Sequence, residues 1–240
     1  MAAISDNMQA VSQRIARAAA AAGRNSDSVR LLAVSKTHPV ERIEEAFRAG
    51  QTAFGENYVQ EALGKMDALT RLVGGASATD VEWHLIGPLQ SNKTRLVAER
   101  FNWVHTVSSA KVARRLSEQR APGQAPLNVL IQVNSSAEPS KSGVNLEEAP
   151  VLAHAVAQMP HLRLRGLMAI PEPSHDAAVQ RARFRPVQSL YQRLRADGLE
   201  LDTLSLGMSE DLEAAIAEGS TMVRVGTAIF GARRRQRDAA

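Results

Sequence analysis

The spacing of apolar positions along the chain changes from one period to another many times. Near the start, Met8, Val11, Ile15 and Ala18 recur every three or four residues, which predicts a helix with one buried face. From Leu31 onward, short apolar runs alternate with amphipathic stretches. LLAVSK precedes VERIEEAFRAG, TAFGEN precedes YVQEALGKMDALTRL, VEWHLIG precedes SNKTRLVAER, and WVHTVS precedes SAKVARRLSEQR. The second half keeps the rhythm: LNVLIQVN and LEEAPVLAHAVAQM, LRLRGLMAI and a long helix through Tyr191, TLSLG and SEDLEAAIAEG, then MVRVGTAIF. Strands followed by helices make right-handed βαβ units on a parallel sheet, and eight of them in about 200 residues fit an α/β fold of the closed (β/α)₈ type, a TIM barrel. Too little chain follows the eighth strand for a full covering helix, so the extra N-terminal helix is expected to fill that place. The expected organisation is a single barrel domain over residues 1–231, a basic tail over 232–240 and no C-terminal β domain. An open doubly wound sheet is the competing arrangement. It is weakened because no Gly-x-Gly-x-x-Gly follows the first strand and no Walker loop occurs.

Composition narrows the chemistry. The chain has 240 residues and no cysteine, so disulfides and thiolate metal sites are excluded. No apolar run reaches the roughly 20 residues needed to span a bilayer, and MAAISDNMQAV lacks the charged and apolar regions of a secretory signal. QRIARAAAAAGR has the Ala/Arg bias of a transit peptide, but its apolar residues keep helical spacing, and a structural helix in a cytoplasmic protein is expected. The net charge of +4 owes much to the tail ARRRQR. Without interleaved aromatics or a binding motif, that tail reads as a solvated terminus, and neither nucleic acid nor membrane is expected as a partner.

In a barrel, chemistry sits at the carboxyl ends of the strands, and strand residues two apart face the same way. Lys36 shares the phase of Leu32 and Val34, Asn57 ends the second strand and His84 lies late in the third. Gln132 and Asn134 share one face of the fifth strand, opposite Val129, Ile131 and Val133. Arg224 is in phase with Met222 and Gly226, so its guanidinium points inward and needs an acceptor. Each residue alone has a structural use. Lys36 can reach solvent from a strand end, His84 can be a satisfied core histidine, Arg224 can pair with Glu56 or Glu172, and Asn57 can cap the helix starting at Tyr58.

The end of the chain changes the weighing. In LGMSEDLEAAI, Ser209 is placed to cap a helix with Glu210 and Asp211 in its first turn, and in RVGTAIFG, Gly226 and Thr227 closely follow Arg224. Hydroxyls, helix amides and a glycine that permits close backbone approach make an anion site, and barrels commonly hold phosphate after strands seven and eight. Strand one, with its lysine, closes the ring beside strand eight. An amine, a phosphate cradle and an inward polar group suggest pyridoxal 5′-phosphate, with its aldehyde at Lys36, its phosphate at Ser209, Gly226 and Thr227, and its pyridine nitrogen at Arg224. Apolar residues Leu31 to Val34 would desolvate the amine and favour its neutral, nucleophilic form.

AVSKTHP, FGENYVQEAL, WHLIGPLQSNK, SKSGV, LRGLMAIP, LSLGMSEDLEAAI and VRVGTAIFGAR together resemble the pyridoxal-phosphate homeostasis protein family, called YggS or PROSC-like, over nearly the whole chain. The resemblance implies a fold similar to the barrel domain of alanine racemase, Lys36 as the Schiff-base lysine and Asn57 as a neighbour of the cofactor ring. Arg224, Gly226 and Thr227 match the racemase-like Arg-x-Gly-x element, which carries over the contacts to nitrogen and phosphate. Ser205 and Ser209 both lie near the phosphate end, with Ser209 preferred as a helix cap, and His84 completes the expected cofactor-binding set. Lys141, in PSKSGV, offers either a solvated loop residue or a transient second amine. The expected function is to hold the cofactor as a lysine aldimine and serve vitamin B6 homeostasis or delivery to apoenzymes, as a monomer without amino-acid turnover. A racemase-type B6 enzyme and a class I aldolase are the alternatives. The racemase reading is disfavoured because the expected chain lacks the C-terminal β domain that supplies a racemase's second base, by the same resemblance.

Overall fold

A computed structural model describes residues 3–74, 80–136 and 142–232. Eight parallel strands close into a barrel in sequence order: β1 (Arg30–Val34), β2 (Ala53–Glu56), β3 (Glu82–Leu85), β4 (Trp103–Val107), β5 (Leu127–Val133), β6 (Leu162–Ala169), β7 (Thr203–Ser205) and β8 (Met222–Val225). The ring shuts by pairing β1 with β8, where Leu32 faces Arg224 and Ala33 faces Val225. The closed TIM barrel expected from the sequence is therefore present, and the open-sheet alternative is set aside.

The helices follow from the amphipathic stretches. They are α1 (Ile4–Ala21), α2 (Val40–Arg48), α3 (Val59–Val73), α4 (Thr94–Arg100), α5 (Ala110–Gln119), α6 (Ala149–Ala157), α7 (Ala177–Ala196), α8 (Leu212–Ala217) and α9 (Thr227–Phe230). In α3 the buried Val59, Ala62, Met66 and Leu69 fall on one face. Caps set some of the starts: Ser109 accepts from the amide of Val112, and Asp176 from those of Ala178 and Val179.

The N-terminal helix takes the place that the short α9 cannot fill. Ile4, Met8, Val11 and Ile15 are buried in the main core, Asn7 Nδ2 donates to the carbonyl of Ile229, and Arg24 Nη1 donates to that of Ile216. Strand faces separate as their period predicts. Ala33, Phe54, Val129, Ile131, Val133 and Val225 join the helices in the main core. Leu32, Ala53 and Met222 form one small cluster apart from it, and Trp103, Leu130 and Met168 another. The barrel interior also buries His84, His105, Ser205 and Arg224, so its lining is polar over much of its height.

Three local expectations change. β1 ends at Val34, so Lys36 sits in the following turn rather than on the strand. MVRVGTAIF is strand only to Val225, and its last residues coil into α9, where Gly226 breaks the extended run. The helix after β7 begins at Leu212 with Asp211 at the N-cap position, so Ser209 does not cap it. Asp211 Oδ1 accepts the amide of Met208 instead, which turns the segment tightly and delays the helix.

Candidate functional site

A cavity of about 270 Å³ opens at the carboxyl ends of the strands. Its wall includes Lys36 and His38 after β1, Asn57 after β2, Ile86 after β3, Ile170 after β6, Met208 to Asp211 after β7, and Arg224, Gly226 and Thr227 at the end of β8. Six of the seven residues expected from sequence therefore meet in one place. His84 does not line this cavity. It lies lower in the barrel, fully buried, stacked on Trp103 with ring centres 5.2 Å apart, and its Nδ1 is 2.9 Å from His105 Nε2. Lys141 lies outside the described residues.

The turn carrying Lys36 is held from behind. Thr37 adopts φ of 66°, left-handed backbone that a β-branched residue enters only under constraint. Its amide donates to Glu61 Oε1 at 2.6 Å, and the amide of His38 closes the turn onto the carbonyl of Ser35. Lys65 Nζ reaches the Ser35 carbonyl and Glu56 Oε1, each at 2.8 Å, and also Glu61 Oε1. Burial pushes the Glu56 carboxyl above the usual carboxylate range, against the pull of Lys65. The acceptors anticipated for Arg224 are engaged elsewhere: Glu56 pairs with Lys65, and Glu172 with Arg183.

Arg224 is instead satisfied by neutral oxygens. Nη1 donates to the carbonyl and the hydroxyl of Ser205, both at 2.7 Å, and Nη2 donates to the carbonyl of Ala169 at 3.0 Å. Burial lowers its pKa to about 10, so it remains cationic at neutral pH. Ser205 is thus a holder of Arg224 and not part of the cavity wall.

Asn57 is placed by a close approach. A Cβ on Gly87 would lie 2.2 Å from the Asn57 carbonyl oxygen, so only glycine lets the chain after β3 press against this residue. Among the described residues, Asn57 Oδ1 is buried without a hydrogen-bond partner. A buried acceptor in that condition fits a ligand that donates to it. Gly226 plays a similar part, since a Cβ there would lie 3.0 Å from the Val34 carbonyl and crowd the end of β8 against β1. On the far side, Arg14 of α1 donates to the Ser209 carbonyl and pairs with Glu213, tying the loop after β7 to the N-terminal helix.

Sequence reasoning missed His38 and Asp211 as wall residues. His38 stacks on Phe230, with ring centres 5.1 Å apart. The signal was present in the Thr-His-Pro turn beside Lys36, but its direction depends on the left-handed Thr37. Burial raises the Asp211 carboxyl above its ordinary value, with Arg224 opposing that rise. Among the described residues, no group of three or more His, Asp or Glu is arranged to hold a metal, and no helix is long and apolar enough to cross a membrane.

An amine, an unpaired amide oxygen, a buried guanidinium and a loop of hydroxyls and glycine fit pyridoxal phosphate by the chemistry of their donors and acceptors. The model of the family described as alanine racemase, N-terminal domain, matches residues 6–234. A Pseudomonas aeruginosa protein called pyridoxal phosphate homeostasis protein is 56% identical over 97% of this chain and 97% of its own length. The Escherichia coli K12 protein of the same name is 53% identical over 96% of this chain and 97% of its own. Among solved structures, PipY of Synechococcus elongatus PCC7942 with PLP bound superposes with a TM-score of 0.77 at 38% identity, covering 90% of this chain and 100% of that one. The chain belongs to the alanine racemase N-terminal domain family and, within it, to the pyridoxal phosphate homeostasis proteins.

Proposed function

We propose that this protein binds pyridoxal 5′-phosphate, with Lys36 as its covalent anchor, and serves vitamin B6 homeostasis by holding the cofactor and supplying it to apoenzymes without turning over amino acids. The observation that carries the reading is the meeting of Lys36, Asn57, Ser209, Arg224, Gly226 and Thr227 around one cavity. The names of its relatives and the PLP-bound PipY structure point the same way.

The roles follow from the donors and acceptors. A neutral Lys36 amine attacks an aldehyde carbon, the carbonyl oxygen leaves as water, and a Schiff-base linkage holds the ligand. When bound, the cofactor supplies that aldehyde and, in enzymes, an electron sink at its pyridinium ring. Arg224 works against the second property. A guanidinium only donates, so at a pyridine nitrogen it keeps the nitrogen an acceptor and free of a proton. Asn57 Oδ1 accepts a hydrogen bond at the ring edge, and the Ser209 and Thr227 hydroxyls with the backbone at Gly226 receive the phosphate.

The racemase and aldolase readings ask more of the site. Racemisation needs acid–base groups on both faces of a substrate carbon, and His84, expected at the cofactor from the sequence, is outside the cavity. The direct test is to incubate the cofactor-loaded protein with L- and D-amino acids, following α-proton exchange, and with an apo B6 enzyme, following regained activity. Restored activity without exchange is expected. Turnover on the scale of about one per second, ordinary for enzymes, would overturn the carrier reading.

A further inference from the structure

Below the cavity, a single file of buried polar groups crosses the barrel interior. Arg224 Nη1 donates to Ser205 Oγ at 2.7 Å, Ser205 Oγ lies 3.3 Å from His105 Nδ1, and His105 Nε2 lies 2.9 Å from His84 Nδ1. His84 Nε2 then faces Glu82 Oε2 at 3.5 Å, a long contact, and has no nearer partner among the described residues. Glu82 Oε2 also accepts from Arg30 Nη1 at 3.0 Å and from Trp103 Nε1 at 2.9 Å. The file therefore runs from the wall of the cavity to the opposite mouth of the barrel, where Arg30 and Glu82 are each 37% exposed.

The two ends of this file leave one arrangement of protons. The nearness of His84 and the ion pair with Arg30 hold the Glu82 carboxyl well below the usual carboxylate range, so Glu82, which also takes the indole N–H of Trp103, is ionised and only accepts. His84 therefore presents Nε2–H to Glu82. Burial keeps both imidazoles neutral, lowering His84 to about 4 and His105 in the same direction. A neutral ring with its proton on Nε2 offers Nδ1 as an acceptor, so His105 must donate from Nε2 and accept at Nδ1. Among the described residues, the Ser205 hydroxyl is the donor within reach of that nitrogen. With its hydrogen committed to His105, Ser205 Oγ turns its lone pairs toward Arg224, which only donates. Every link points the same way, from Arg224 to Glu82.

We propose that His84 and His105 are positioning residues which, with Glu82 as terminal acceptor, fix the Ser205 hydroxyl and through it the orientation of the Arg224 guanidinium that is read as the partner of the cofactor's pyridine nitrogen. The contact with the ring rests on the cofactor reading above; the order of the file does not. Neither histidine touches the ligand. The chain of single donors explains why two buried imidazoles stand where aliphatic side chains would pack, since an apolar pair would leave Ser205 free to rotate. It also places Arg224 under the influence of charge at the far mouth, because without a carboxylate at Glu82 nothing fixes the tautomer of His84, and with it the donors at His105 and Ser205.

The test begins with the wild-type protein free of cofactor. Long-range proton–nitrogen spectra of labelled imidazoles at neutral pH are expected to show His84 and His105 neutral with the proton on Nε2, and slowly exchanging Nη protons on Arg224. A proton on Nδ1 of either ring, or a cationic ring, would overturn the proposal without any variant having to fold. In His84→Phe, which retains a ring to stack on Trp103, the His105 tautomer should become mixed and the Arg224 protons should average. The visible absorption of bound pyridoxal phosphate should shift, and its dissociation should speed up several-fold. Unchanged Arg224 exchange and an unchanged His105 tautomer in that variant would show the file to be packing alone. If the tautomers and the ordered guanidinium are present but the protein binds no pyridoxal phosphate, the cofactor reading falls and the positioning of Arg224 stands.

Discussion

Lys65 Nζ lies 2.8 Å from Glu56 Oε1, and this ion pair is buried immediately behind the turn that carries Lys36. Lys65 is thus held between the carboxylates of Glu56 and Glu61, while Lys36 reaches the cavity. Removing one partner of a buried pair leaves an uncompensated charge and costs about 3–5 kcal/mol. Among the described residues, Glu56 Oε2 already lacks a partner. Lys65→Met is expected to lower stability by that order in urea denaturation and to loosen cofactor binding by releasing the turn at Thr37. Lys65→Met combined with Glu56→Gln should recover part of the stability; no recovery would mean that the pair is not what Lys65 supplies.

Arg224 is surrounded by acceptors, the carbonyls of Ser205 and Ala169 and the Ser205 hydroxyl. Arg224→Glu would set a carboxylate against them, and the cost of a buried unpaired charge is about 3–5 kcal/mol. Arg224→Gln can still donate to one carbonyl and should lose about 1–3 kcal/mol. Absorption spectra of the Gln variant loaded with pyridoxal phosphate should differ from wild type. A spectrum superposable on wild type, with the stability loss present, would restrict Arg224 to a structural role.

The interior histidines give stability a pH dependence with a definite sign. His84 binds its proton at about 4 in the folded protein, against about 6.5 in an unfolded chain. Between those values the unfolded chain takes up a proton that the native barrel refuses. The contribution is therefore complete above the unfolded value and lost as pH falls toward the folded one. Glu56, raised in the native state, acts with the opposite sign, so the comparison with a variant isolates the ring. Denaturant midpoints should fall between neutral pH and about pH 5, and less steeply in His84→Phe. Equal slopes would contradict a buried neutral His84.

Gly87 abuts the Asn57 backbone so closely that any Cβ must displace it. Gly87→Ala should cost about 1–3 kcal/mol through overpacking and weaken cofactor binding, because Asn57 moves with its backbone. Calorimetric titration with pyridoxal phosphate tests this; wild-type affinity in the variant would remove Asn57 placement from the account.

Much of this architecture was legible in the sequence for a physical reason. The switch between two-residue and three-to-four-residue spacing reports burial directly, so the strands and helices appear in the right order, and the phase of Leu32, Val34 and Lys36 or of Met222, Arg224 and Gly226 tells which residues point inward. Strand phase does not report height along the barrel axis. His84 shares the inward phase yet lies below the cavity, beside Trp103 and His105. Local backbone choices were equally hidden: the left-handed Thr37 that accompanies His38 into the wall, and the Met208–Asp211 turn that delays α8 past Ser209. The partners of Arg224 were missed because carbonyl oxygens carry no signature in a sequence.

The central claim is that Lys36 is the covalent anchor. Borohydride reduction of the cofactor-loaded protein, followed by peptide mapping by mass spectrometry, tests it most directly. The account predicts one principal pyridoxyl adduct, on Lys36, and in a folded Lys36→Ala variant the loss of both that adduct and the visible absorption. A stable principal adduct on Lys65, Lys141 or any other lysine of the wild-type protein, or undiminished reduction in the variant, would contradict it.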